Sequence, residues 1–142
     1  MSLSRYQVKD KVVHSADKYG STNPQQLKQL RLVLDKCEKE ELFEGLYSVF
    51  LEENENYFQR QQLAGNLLYS LKPRLRLKLY DVIKNCLNTY NLSIEELPWY
   101  LSELCGRNRV LEVIDKISSE ELSDREIESL NTFKFWLRGN NG

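Results

Sequence analysis

Along most of the chain apolar residues recur at spacings of three, four and seven, the signature of a helix with one buried face. Leu27, Leu30, Val33, Leu34 and Cys37 form one such stripe, and Leu42, Phe43, Leu46, Val49 and Phe50 the next. The first opens on Asn23-Pro24, an asparagine able to cap free amides and a proline at the position where no amide is needed. A helix is therefore predicted from Pro24 to about Cys37, and a second up to Glu53-Asn54. Gly45 weakens that second helix by about 1 kcal/mol against alanine and is tolerable if another helix approaches closely there.

The stretch from Phe58 to Tyr90 reads as two antiparallel helices meeting at a tight corner, Leu71-Lys72-Pro73. The first, from about Glu55 to Leu71, turns Leu63, Ala64, Leu67, Leu68 and Leu71 inward. The second, from Pro73 to Tyr90, buries Leu75, Leu79, Val82, Ile83, Cys86, Leu87 and Tyr90. Two capping boxes follow, Ser93-Ile94-Glu95-Glu96 and Ser123-Asp124-Arg125-Glu126, in which serine and glutamate each satisfy an exposed amide. The first opens a helix that Pro98 restarts or kinks and Gly106 ends; the second opens one that stops at Gly139. Between them Val110, Leu111, Val113, Ile114 and Ile117 define a helix from Arg107. Before them all, Val8, Val12, Ala16 and Tyr19 share a stripe, giving a short helix ahead of the breakers Gly20-Ser21-Thr22-Asn23.

These patterns predict an all-α domain of six or seven helices over residues 1–142: an N-terminal segment over 1–23, a helical-hairpin array over 24–117 and a C-terminal capping helix over 123–138. Cys37, Leu71 and Cys105 are spaced 34 residues apart. At the same offset Val33, Leu67 and Leu101 align, as do Phe43, Leu77 and Leu111, then Leu46, Tyr80 and Ile114, then Val49, Ile83 and Ile117. Residues 24–117 thus resemble, in periodicity, the HEAT-like class of α-solenoids, which implies stacked antiparallel hairpins; an irregular helical bundle is the alternative. Tetratricopeptide repeats share the period, but their Trp, Leu-Gly and Tyr signature is missing here.

Length and composition add bounds. A chain of 142 residues fits one domain with a real core, and 41% apolar with 29% charged residues is ordinary globular usage. The net charge of −1 provides no global field for nucleic acid or acidic lipid. Cys37, Cys86 and Cys105 are odd in number and lack CxxC spacing, so reduced core thiols are expected. No apolar run has the length of a signal-peptide core or a membrane span, and a cytoplasmic protein is expected.

The candidate chemistry is sparse. His14 is the single histidine, so any triad or His-based metal site would have to pass through it; an incidental surface role is expected. The acidic groups Glu38, Glu40, Glu41 and Glu44, and Glu52, Glu53 and Glu55, lack a calcium-loop pattern. No phosphate-cradling glycine run is present. The expectation is a non-enzymatic protein with no cofactor and no metal.

Two surfaces remain. Lys72, Arg74, Arg76, Lys78 and Lys84 are the one basic concentration, and Arg74 and Lys78 are the candidate nucleic-acid contacts. Read as a helix, they share a stripe with Asp81 and Asn85, while Arg76 projects toward the apolar arc. The 34-residue offset sets Glu40 and Glu44 on one flank and Asn108, Glu112 and Asp115 on the other, which favours exposed ion pairs over a phosphate groove. On the preceding helix Phe58, Gly65 and Tyr69 lie away from the core arc, with Arg31 and Asp35 on one side and Trp99 and Glu103 on the other. Aromatics and arginine dominate binding hot spots, so Arg31, Phe58, Gly65, Tyr69, Trp99 and Glu103 form the candidate partner surface; packing against the N-terminal segment or a neighbouring hairpin is the alternative. Phe135 and Trp136 either tuck onto the preceding hairpin or mediate self-association.

The function expected is therefore a protein-interaction module (adaptor, inhibitor or immunity-type partner), monomeric or weakly dimeric. The second reading is a nucleic-acid-binding or regulatory protein working through the helix from Pro73.

Overall fold

The computed structural model describes residues 3–139, and every regular element among them is helical. Eight α-helices form, against six or seven expected: α1 (Arg5–Tyr19), α2 (Pro24–Leu34), α3 (Lys39–Ser48), α4 (Tyr57–Leu71), α5 (Leu79–Cys86), α6 (Glu96–Cys105), α7 (Arg107–Ser118) and α8 (Asp124–Gly139). A single 3₁₀ turn, Val49–Leu51, prolongs α3.

The N-terminal segment is a full helix embedded in the fold. Ser4 and Gln7 close a capping box at its start, the Ser4 Oγ accepting from the Gln7 amide at 3.2 Å and the Gln7 Oε1 from the Ser4 amide at 2.9 Å. Val8, Val12 and Ala16 are buried as their stripe predicts, but Tyr19 is 42% exposed. The helix lies across α3 and α4. At the crossing, a Cβ on Gly45 would sit 2.6 Å from the Val8 Cβ and 2.8 Å from the Arg5 carbonyl oxygen, which is the close approach that the glycine permits. The Arg5 guanidinium forks onto Glu41 at 3.2 and 2.7 Å beside it.

Asn23 caps α2 as expected, its Oδ1 accepting from the Gln25 and Gln26 amides at 3.1 Å. This helix ends at Leu34 and is held through Leu27, Leu30 and Leu34, while Val33, a member of the 34-residue pattern, is 44% exposed.

The central corner differs most from expectation. Lys72 adopts a left-handed conformation (φ 46°) that terminates α4, its amide bonding to the Leu68 carbonyl at 2.8 Å. Pro73 does not start a helix. Residues 72–78 have no helical or paired-strand structure, and α5 begins only at Leu79. In place of a two-helix corner, α4 packs on α1 and α6, and α5 on α7.

Beyond α5, buried Gln61 secures the turn from the side: its Nε2 donates to the Thr89 carbonyl at 2.8 Å and its Oε1 accepts from the Asn91 amide at 2.8 Å. The predicted box at Ser93 does not form. The Ser93 amide bonds to the Asn91 side chain, α6 starts at Glu96 without a side-chain cap, and Glu96 accepts from Gln62 at 2.9 Å. Pro98 falls in the first turn of α6, where it is tolerated without a break. The Ser123 box does form, at 3.1 and 2.9 Å. One continuous core joins all eight helices, from Val8 through Phe43, Leu67, Ile83, Tyr100 and Ile114 to Phe133.

Candidate protein-interaction surface

The residues Pro73 to Lys78 read Pro-Arg-Leu-Arg-Leu-Lys, strict alternation with period two. In the structure Leu75 and Leu77 are half-buried against the core while Arg74, Arg76 and Lys78 are exposed. We call this segment the strap. It is anchored at its entry by the buried Tyr100, whose hydroxyl donates to the Pro73 carbonyl at 2.6 Å, and at its exit by the Lys78 carbonyl, which accepts the Val82 amide at 3.0 Å. Between these points the amides and carbonyls of residues 74–77 make no hydrogen bond to any described residue.

Arg74, Arg76 and Lys78 likewise take part in no ion pair among the described residues. The exposed inter-helix pairs expected for Arg74 and Lys78 are not made, and Arg76 does not point into the apolar arc. Of the neighbours that the 34-residue offset assigns them, Glu40, Glu44 and Glu112 line grooves beside the strap. A groove of about 540 Å³ runs between strap residues 75–78 and α3, its far wall carrying Glu40 and Glu44 and its floor Phe43, Tyr47 and Val82. A second, of about 550 Å³, lies toward α7 between Lys78 and Asp81 on one side and Arg109, Glu112 and Lys116 on the other. Asp115 is drawn off to Lys134 at 3.4 Å. The aromatic hydroxyls near both grooves are committed: Tyr47 donates to the Val82 carbonyl at 2.6 Å and Tyr80 to Glu120. Burial pushes the Tyr47 hydroxyl's pKa far above its usual range, so it stays a donor.

At the strap's entry the structure gathers part of the other predicted surface. Tyr69 and Trp99 rings meet at 5.6 Å, Lys72 lies 4.7 Å over the Tyr69 ring, and Lys72 pairs with Glu103 at 2.6 Å. The hydrogen bond it donates to Glu103 holds the Lys72 ammonium above its usual pKa. Arg31 reaches α4 from α2 and bonds Asn66 at 3.1 Å and Ser70 at 3.3 Å. Arg31 and Trp99 therefore do flank α4 on opposite helices. Phe58, 40% exposed, sits near the far end of α4 and is no part of this cluster.

Two members are better explained as packing. Gly65 is buried, and a Cβ there would come within 3.0 Å of Ile94 and 3.3 Å of Glu96, so the close neighbour it admits is this chain's own segment before α6. The Trp99 indole donates to the Trp136 carbonyl at 3.2 Å, and the Trp136 indole to the Leu92 carbonyl at 3.0 Å, tying α6 and α8 together. Trp136 is thus tucked in, whereas its neighbour Phe135 is 61% exposed.

Elsewhere the side chains offer little reactive chemistry. His14 is exposed. No group of three or more His, Cys, Asp or Glu gathers in metal-holding geometry among the described residues, and no described helix is long and apolar enough to cross a membrane. All three cysteines are free thiols; burial pushes that of Cys86 up to about 12. Among the described residues Glu96 is the one carboxyl that burial raises, and its buried Oε1 has no partner there. The strap itself was missed by helical reasoning, although its alternating pattern was the signal for extended backbone. Comparison with models of known protein families, with curated proteins and with solved structures finds no match to this chain.

Proposed function

We propose that this protein is a non-enzymatic protein-interaction module, an adaptor, inhibitor or immunity-type partner, that engages another protein through the strap and the adjoining Tyr69–Lys72–Glu103 cluster. The observation that carries this reading is the strap: among the described residues, positions 74–77 make no backbone hydrogen bond and Arg74, Arg76 and Lys78 no ion pair, between ends held by the helical domain. Polar groups arranged on a fixed frame are what a specific contact needs, because little ordering entropy remains to be lost on binding. We read the frame as a HEAT-like array on the packing of α4 on α6 and α5 on α7, and a cytoplasmic location on three free thiols, which suit a reducing compartment.

The same three cations support a second reading, contact with a nucleic-acid backbone through Arg74 and Lys78. Against it stand Glu44, Asp81 and Glu112 along the grooves. A photo-crosslinking residue placed at Arg76, and for comparison at exposed Lys11 on α1, tests the proposal in the native cell. A discrete protein adduct from position 76 alone is expected; nucleic-acid adducts, or the same products from both positions, would sink it.

A further inference from the structure

We propose, resting on the reading above, that the strap binds its partner by backbone pairing, taking an extended segment that alternates acidic and apolar residues into the groove beside α3.

The argument begins with unpaired edges. An extended segment whose amides and carbonyls lack partners can accept a strand, and the main-chain bonds so formed supply affinity while alternate side chains supply specificity. The 540 Å³ groove exposes four consecutive strap residues, Leu75 to Lys78, along one wall, which is the length of edge a short strand needs. Strand geometry then fixes what the occupant must look like. Its side chains project alternately to the same two faces as those of the strap. One set goes inward with Leu75 and Leu77 over the apolar floor of Phe43, Tyr47 and Val82, and must be apolar. The other lies beside Arg76 and Lys78, where cross-strand neighbours of opposite charge are favoured and like charges are not.

The same charge rule excludes a second copy of this chain. Edge-to-edge pairing of two straps would oppose arginine and lysine rows, and Pro73 lacks the amide needed to extend the ladder. The far wall does not forbid carboxylates next to the strap, since Glu40 is already engaged by Arg5 at 3.6 Å. Glu44 and Asp81 remain, and confine the occupant's acids to the row beside Arg76 and Lys78.

The test uses the full chain and a labelled peptide of roughly ten residues alternating glutamate and valine, read by fluorescence anisotropy and by amide chemical shifts of residues 74–77. Two N-methylated versions, each blocking every second amide, keep the charge and remove pairing in one register. Binding is expected, with one N-methyl register weakening it by about tenfold or more and the other tolerated, because only one set of amides faces the strap. Arg76→Glu with Lys78→Glu should weaken it to a similar degree without changing the helical circular dichroism, both side chains being exposed. The inference is overturned if the peptide does not bind, if neither N-methyl register matters, or if a thymidine oligonucleotide of the same charge binds as tightly. Should the peptide fail while position 76 still crosslinks a discrete protein in cells, the pairing mode falls and the interaction module stands. If both fail, both fall.

Discussion

Gly45 and Gly65 both mark places where a side chain would collide, but with different severity. A methyl at Gly45 meets the α1 backbone at 2.8 Å and Val8 at 2.6 Å, neither of which can swing aside, whereas at Gly65 the nearest atom is an Ile94 methyl at 3.0 Å. Gly45→Ala should therefore destabilise the fold by about 1–3 kcal/mol despite alanine's better helix propensity, and Gly65→Ala by less, as denaturant titration would show. Glu96 makes a pH prediction. Burial raises its carboxyl above the ordinary 4.5, so the folded chain holds that proton more tightly than the unfolded one. The stability this contributes is fully present below about 4.5 and is lost as pH rises through the folded value. Glu96→Gln should flatten that decline and raise the melting temperature at pH 7, an effect measurable by melts across the pH range; an unchanged pH profile would show that the carboxyl is solvated.

Helix starts show what local sequence can and cannot specify. Asn23-Pro24 and Ser123-Glu126 perform as their motifs predict, and Ser4-Gln7 forms an equivalent box that the N-terminal reading passed over. Ser93-Glu96 has the right residues, yet Gln62 and the buried Ile94 claim the segment first. Ser4→Ala and Ser123→Ala should thus each cost about 1 kcal/mol, and Ser93→Ala close to nothing, which thermal melts of the three variants would check. The core stripes of α3, α4 and α7 were legible because burial there has one dominant period. The strap was not, since Leu75 and Leu79 also satisfy a helical four-residue spacing and Pro73 is a common first helical residue. What decided the matter is tertiary: Tyr100 holds the Pro73 carbonyl, and left-handed Lys72 turns the chain away. The site suffered accordingly. The basic residues and their acidic flanks could be named from sequence, but the exposed backbone between them could not, and Gly65 looked open because the segment covering it lies about 30 residues downstream.

At the scale of the molecule, the strap divides the chain near its middle while the core runs across it: α4 before it packs on α6 after it, and α3 joins the same buried cluster as α5. Trypsin-like proteases require a substrate in extended form with an arginine or lysine in a specificity pocket, and helical sites must first unwind to comply. The strap, outside any helix, offers Arg74 and Arg76 without unwinding. Brief digestion of the folded protein should accordingly make its first cut there, giving two fragments visible by mass spectrometry. Because each half contributes helices to the shared core, the fragments should elute together on gel filtration and separate only in denaturant. Cleavage at this one place would convert a single chain into a two-chain protein with its fold intact, a split whose halves could be produced apart and asked to find each other again.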